Sequence, residues 1–166
     1  MAKKKSKNNA SLIRKVIGLV ASVATFVFFF LEMVAIRTKS TGFGKESVTT
    51  EGVKFSDVLF NEDYEIIREE LSLATTVMWV VFAMVVLAVV FTTLSLIMKK
   101  GTAMAKFGSG LLLIAMVLLF VVNFDKVTLD LYVAKGETNI SNITTLYFVS
   151  LAMSVVGFVS ASGLKK

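Results

Sequence analysis

Glu32 is the one ionisable side chain inside an apolar run that extends from Val16 to Ile36. A carboxylate in hydrocarbon is costly, so a carboxyl group placed there is a candidate for ion coupling, proton relay or ligand contact. A structural alternative stands beside it. Glu32 precedes Arg37 by five residues, about 7.5 Å along a helix. That brings it within reach of the outer interface and of partners such as Lys39 or Arg68. A second candidate set is acidic: Glu62, Asp63, Glu65, Glu69 and Glu70. Clustered oxygens attract hard cations, but no D-x-[DN]-x-[DN]-G loop frames these residues. The same residues equally suit a solvated helix start, where negative charge is favoured. Glu62, Asp63, Glu65 and Glu69 are therefore candidates for contact with a partner outside the membrane. Thr92, Thr93 and Ser95 form a third set, able to line a polar path or to bond back to their own helix.

What is missing narrows the chemistry. The chain has neither Cys nor His. This removes thiolate sites, disulfides and the commonest general base and transition-metal ligand. No phosphate loop, nucleophile elbow, zincin motif or dinucleotide fingerprint is present. The expectation is a non-enzyme with no catalytic residues, no metal and no cofactor.

The elements that must position these residues are four long apolar runs within 166 residues: about 16–36, 71–98, 108–124 and 144–164. Each approaches the length needed to cross hydrocarbon ~30 Å thick. The first run is longer than a secretory h-region and no good cleavage site follows it, so it reads as a retained span. The segments at both ends and between the second and third runs carry 11 Lys and Arg and no acidic residue. The other two connections, 37–70 and 125–143, carry 7 basic and 11 acidic residues. An excess of positive charge marks the cytoplasmic side. The expected protein is therefore a multi-pass protein of the plasma membrane with both termini in the cytoplasm. Its basic charge faces the lipid bilayer rather than nucleic acid.

Residues 1–10 read as a disordered basic tail, and 11–166 as one four-span domain with Ser11 able to cap its first helix. Small residues stripe the first run at Gly18, Ala21, Ser22 and Thr25, and the fourth at Ser150, Ser154, Gly157 and Ala161. Small residues let membrane helices approach closely. Spans one and four are expected to pack together, within one bundle or between copies. In the first outward loop, two short strands are expected around Glu51-Gly52. Asn61 is a fitting cap for a second helix running unbroken into the membrane, with Trp79 packed inside and Gly101 as a left-handed C-cap. The alternation of Val127, Leu129, Leu131 and Val133 predicts a strand in the second loop. The fold class that follows is an all-α transmembrane four-helix bundle with a small extracytoplasmic β-sheet built from both outward loops.

This layout resembles the claudin family and its tetraspan relatives. The shared features are cytoplasmic termini, a larger strand-bearing first outward loop, a short inner turn and a smaller second outward loop. The family's tryptophan and cysteine pair in the first loop are absent, since the one Trp is Trp79 and there is no Cys. The chain also looks like the small four-span membrane proteins of low-GC bacteria. The claudin resemblance implies a structural, adhesive or accessory role, with a protein partner or a second copy engaged through the outward loops. The competing expectation is an oligomeric small transporter or channel subunit that uses Glu32.

Overall fold

The computed structural model describes residues 2–42, 45–98, 101–125, 127–131, 134–141 and 144–164. In chain order they form α1 (Ala2–Phe28), β1 (Val34–Gly42), β2 (Lys45–Val53), α2 (Phe55–Phe60), a 3-10 turn (Glu62–Tyr64), α3 (Glu65–Glu70), α4 (Ser72–Ile97), α5 (Thr102–Leu119), a second 3-10 turn (Phe120–Phe124), β3 (Val127–Leu131), β4 (Ala134–Ser141) and α6 (Thr145–Ser162). Four stretches are long and apolar enough to cross a membrane: Asn9–Phe28, Ser72–Ile97, Thr102–Phe124 and Thr145–Ser162.

Several boundaries differ from expectation. α1 begins at Ala2 rather than near Ser11. Its first turns hold Ala and Lys, good helix formers, with no Gly or Pro to interrupt them. α1 also ends at Phe28, eight residues before the expected end of the first span. The continuation from Val34 onward is a strand. An apolar run carries no periodicity of its own, so where helix gives way to strand cannot be read from it. Glu51-Gly52 is not a turn but lies within β2, opposite Ile36 and Ala35, and residues 43–44 between the two strands lie outside the described residues. The second helix is not continuous from Asn61. It breaks at Leu71, where φ is −101° and ψ is 57°.

By its contacts the chain divides into two units. The helical unit comprises Met1–Val27, Phe82–Val117 and Val149–Lys166. The sheet-bearing unit comprises Phe28–Val81 and Leu118–Phe148.

In the helical unit, small residues set the spacing of the helices. A Cβ built on Gly157 in α6 would lie 3.2 Å from Ala21 Cβ and 3.7 Å from Gly18 Cα in α1. One on Gly18 would lie 2.9 Å from Ser109 Oγ in α5. One on Gly108 in α5 would lie 3.0 Å from Thr92 Cγ2 in α4. The expected contact of the first and fourth spans is thus intramolecular, and Gly18 also serves α5. Many large side chains turn the other way, although Leu112 and Met116 are enclosed. Val159 is 63% exposed while Ala161, on the same helix, is 1% exposed. Bulky apolar groups outside and small ones inside suit helices whose surroundings are lipid.

In the sheet-bearing unit, four antiparallel strands run in the order β2-β1-β4-β3. Register places Val34, Ile36, Thr38 and Ser40 of β1 opposite Val53, Glu51, Thr49 and Ser47 of β2. Ile36 and Thr38 also face Ile140 and Thr138 of β4. Alternation makes these one face of the sheet. One end of that face is apolar and closed: Val34, Val53 and Ile140 are buried. The other end is hydroxyl-rich, with Thr38 and Thr138 3.5 Å apart and Ser40 bonded to Ser47 at 2.7 Å. Phe29 stacks on Phe55 with ring centroids 4.1 Å apart, and Ser56 N–H donates to Phe29 O at 2.9 Å. Met33, Val58, Leu71, Met78 and Leu119 complete this core.

Candidate functional site

Because α1 stops at Phe28, Glu32 does not lie in the first apolar helix. It sits in the turn to β1 and is exposed. Its carboxylate fills the space that a side chain at Gly52 would occupy, with Oε2 2.7 Å from the Cβ position there. The two partners expected for it are engaged elsewhere. Lys39 Nζ lies 3.1 Å from Glu46 Oε1. Arg68 Nη1 donates to Asn61 O at 2.6 Å and Val58 O at 3.1 Å. Glu32 thus lies outside Asn9–Phe28, the helical stretch long and apolar enough to cross a membrane.

The acidic stretch forms as expected at its start. Asn61 Oδ1 accepts from Asp63 N–H at 3.1 Å, the N-cap bond that opens the 3-10 turn. Glu62, Asp63, Glu65, Glu69 and Glu70 are all exposed. Among the described residues, no group of three or more acidic side chains is placed to hold a metal ion. These carboxylates are a solvated face. Tyr64 stands among them, half-buried. Burial pushes its phenol above the usual value, and the negative charges of Glu51, Asp57 and Asp63 push it further in the same direction. Phe60 meets Trp79 edge to face at 5.1 Å. Trp79 is 43% exposed rather than packed inside.

Two long-range bonds tie this surface to the starts of apolar helices. Asp125 Oδ2 accepts from Ala74 N–H at 2.7 Å, capping α4 from 51 residues away in sequence. Thr144 Oγ1 donates to Met33 O at 2.6 Å and accepts from Tyr147 N–H at 3.2 Å, which opens α6. Free N–H groups at a helix start are costly in an apolar setting, and these side chains satisfy them. Sequence spacing carries no signal for the Asp125 cap, because its partner is remote in the chain.

The hydroxyls of the helical unit mostly serve their own helices. Ser22 donates to Gly18 O at 2.9 Å, Thr92 to Ala88 O at 2.7 Å, Ser95 to Thr92 O at 2.7 Å and Ser154 to Leu151 O at 2.7 Å. Thr93 is exposed. The buried hydroxyls of Thr25, Ser109 and Ser150 have no hydrogen-bond partner among the described residues. Near the helix ends, Lys15 Nζ donates to Ser95 O at 2.7 Å and Arg14 donates to Gly163 O. Both cations meet carbonyls late in a helix, where positive charge is favoured. Gly101 is held against the Ser95 backbone with no left-handed φ, so close approach rather than a left-handed cap requires glycine there. A groove of about 320 Å³ between α1 and α6 is walled by apolar side chains, among them Val16, Val20, Met153 and Val156.

No family model, curated protein or solved structure matches the chain. What the structure itself shows is four helices long and apolar enough to span a membrane, with a small antiparallel sheet.

Proposed function

We propose that this is a non-catalytic integral membrane protein whose sheet-bearing unit makes contacts with a protein or with envelope material outside the cytoplasm. The role is claudin-like in the structural sense: adhesion, or service as an accessory subunit. One observation carries this reading. Among the described residues, exposed polar side chains gather in the sheet-bearing unit, on β2 and on the acidic stretch from Glu62 to Glu70. The helical unit, by contrast, closes on itself through Gly18, Ala21, Ser109 and Gly157. The excess of Lys and Arg at both ends and around 99–106 supports a plasma-membrane orientation with the termini in the cytoplasm.

The chain has no Cys, which makes the test direct. The single variants S47C and S6C are each treated in intact cells with an impermeant thiol reagent. Labelling of S47C and not of S6C supports the orientation, and the reverse pattern refutes it. Cross-linking in native membranes through the thiol of E69C is expected to recover a protein together with the chain.

The second reading, an oligomeric small transporter or channel subunit, draws on the unpartnered hydroxyls of Thr25, Ser109 and Ser150 rather than on Glu32. Ion flux in liposomes that E32Q abolishes would restore Glu32 to that role. Flux lost in T25V or S150A but kept in E32Q would place the path among the helices. Absence of flux leaves the contact reading in place.

A further inference from the structure

The sheet ends on one side in β2, nine residues that pair with β1 in unbroken register from Lys45 to Val53. Among the described residues, no strand pairs with its other side in the sheet order. Residues 46–52 are all exposed, and Val48 is 49% exposed. An edge strand presents unpaired N–H and C=O groups to any extended chain that meets it. Proteins commonly blunt such edges with proline, a bulge or a very short strand. β2 has none of these: its register carries no bulge, and the chain contains no proline. What guards it is charge, and charge is selective about what it admits.

We propose that β2 is the contact element of the sheet-bearing unit and that its occupant is β2 of a second copy of this chain, added antiparallel about a two-fold axis normal to the sheet. This inference rests on the contact reading above and names its partner and its mode. Such an axis pairs residue i with j and j with i, and keeps the same face of both sheets on one side. Only registers that join odd with odd and even with even positions satisfy it. Among these, the register centred on Val48 sets Val48 opposite Val48. It also sets Ser47 opposite Thr49 twice, and Lys45 opposite Glu51 twice. The neighbouring two-fold registers, centred on Ser47 or Thr49, lose both opposite-charge pairs. The intermediate slip, which the axis already forbids, would set Glu46 against Glu51. Opposite charges across an antiparallel pair stabilise it and like charges destabilise it. β2 is therefore self-complementary in the register centred on Val48.

The test uses the full-length chain in native membranes with a short bifunctional thiol reagent. V48C is expected to yield a cross-linked dimer. K45E alone and E51K alone, each added to V48C, should cut the dimer fraction about five-fold or more, since two repulsions replace two attractions. The exchange K45E/E51K should restore it, which also shows that the single variants fold. Dimers through E69C with none through V48C would overturn the strand pairing and leave the contact reading standing. A cross-link from V48C to a different polypeptide would overturn the second copy as occupant. No cross-link from either position would overturn both. A V48C dimer insensitive to K45E and to E51K would overturn the register.

Discussion

In the helical unit many enclosed side chains are small, such as Ala21, Ser22, Ala88, Ala105 and Ser154, beside the larger Leu112 and Met116, while Val20, Ile114 and Val159 face outward. In the sheet-bearing unit the large side chains of Phe29, Met33, Phe55 and Leu71 are fully enclosed, and the exposed positions include Glu62, Asp63, Glu65 and Glu69 beside apolar Phe60, Ile66 and Phe124. The difference follows from the solvent each unit suits. In water, burying large apolar groups drives assembly. Between lipid-exposed helices that force is absent, and close backbone approach takes its place. Close approach at Gly18, Ala21 and Gly157 and large-group burial at Phe29 and Phe55 are thus two packing rules in one chain, whose α4 passes from one unit to the other at Val81.

Phe55→Ala should break the comparison most strongly. Removing a fully buried ring costs about 3–5 kcal/mol. The loss should appear as faster hydrogen exchange across β1 and β4, with α5 unaffected. Uniform loss of protection in both units would show that they do not act separately. Gly157→Leu tests the other rule. Overpacking against Ala21 and Gly18 should cost about 1–3 kcal/mol, read as a lower melting temperature in detergent with exchange in β1 and β4 unchanged. Retained stability would mean that α6 is not closely packed on α1. Asp125→Ala removes the remote cap of α4 and should cost about 1 kcal/mol. The loss should be confined to exchange at the first turn of α4.

The smallest effect concerns Tyr64. Its phenol is raised by burial and by nearby carboxylates, so the neutral form is favoured in the fold. Deprotonation is therefore harder in the folded chain than in the unfolded one. Stability does not depend on this group below the ordinary phenol value and falls as pH rises from that value through the raised one, because the unfolded chain gives up its proton first. Glu51→Gln should lower the phenolate midpoint followed by ultraviolet absorbance, and Tyr64→Phe should abolish that transition. An unchanged midpoint in E51Q would separate Tyr64 from β2.

Much of the fold was legible in the residues alone. The second and fourth apolar helices, Ser72–Ile97 and Thr145–Ser162, fall within two residues of the expected limits. Hydrocarbon thickness sets their length, and composition reports it directly. The small-residue stripes were readable too, because 3.6 residues per turn places Gly18, Ala21, Ser22 and Thr25 on one face. Asn61 declared itself as a cap through local chemistry alone. The first span misled because the stretch from Phe29 to Ile36 is mostly apolar whichever structure it takes. Only pairing of Val34 to Gly42 with both β2 and β4 makes it a strand, and with that pairing Glu32 moved from an apolar helix to an exposed turn.

From its amino acids alone, the chain commits to four apolar helices, to the distribution of its charge and to the absence of cysteine and histidine chemistry. These depend on composition and on spacing within a turn or two. The tertiary structure decided the end of α1, the order β2-β1-β4-β3, the cap that Asp125 places on Ala74 and the free edge of β2. Each of those joins residues far apart in sequence, and local periodicity holds no record of a partner that distance hides.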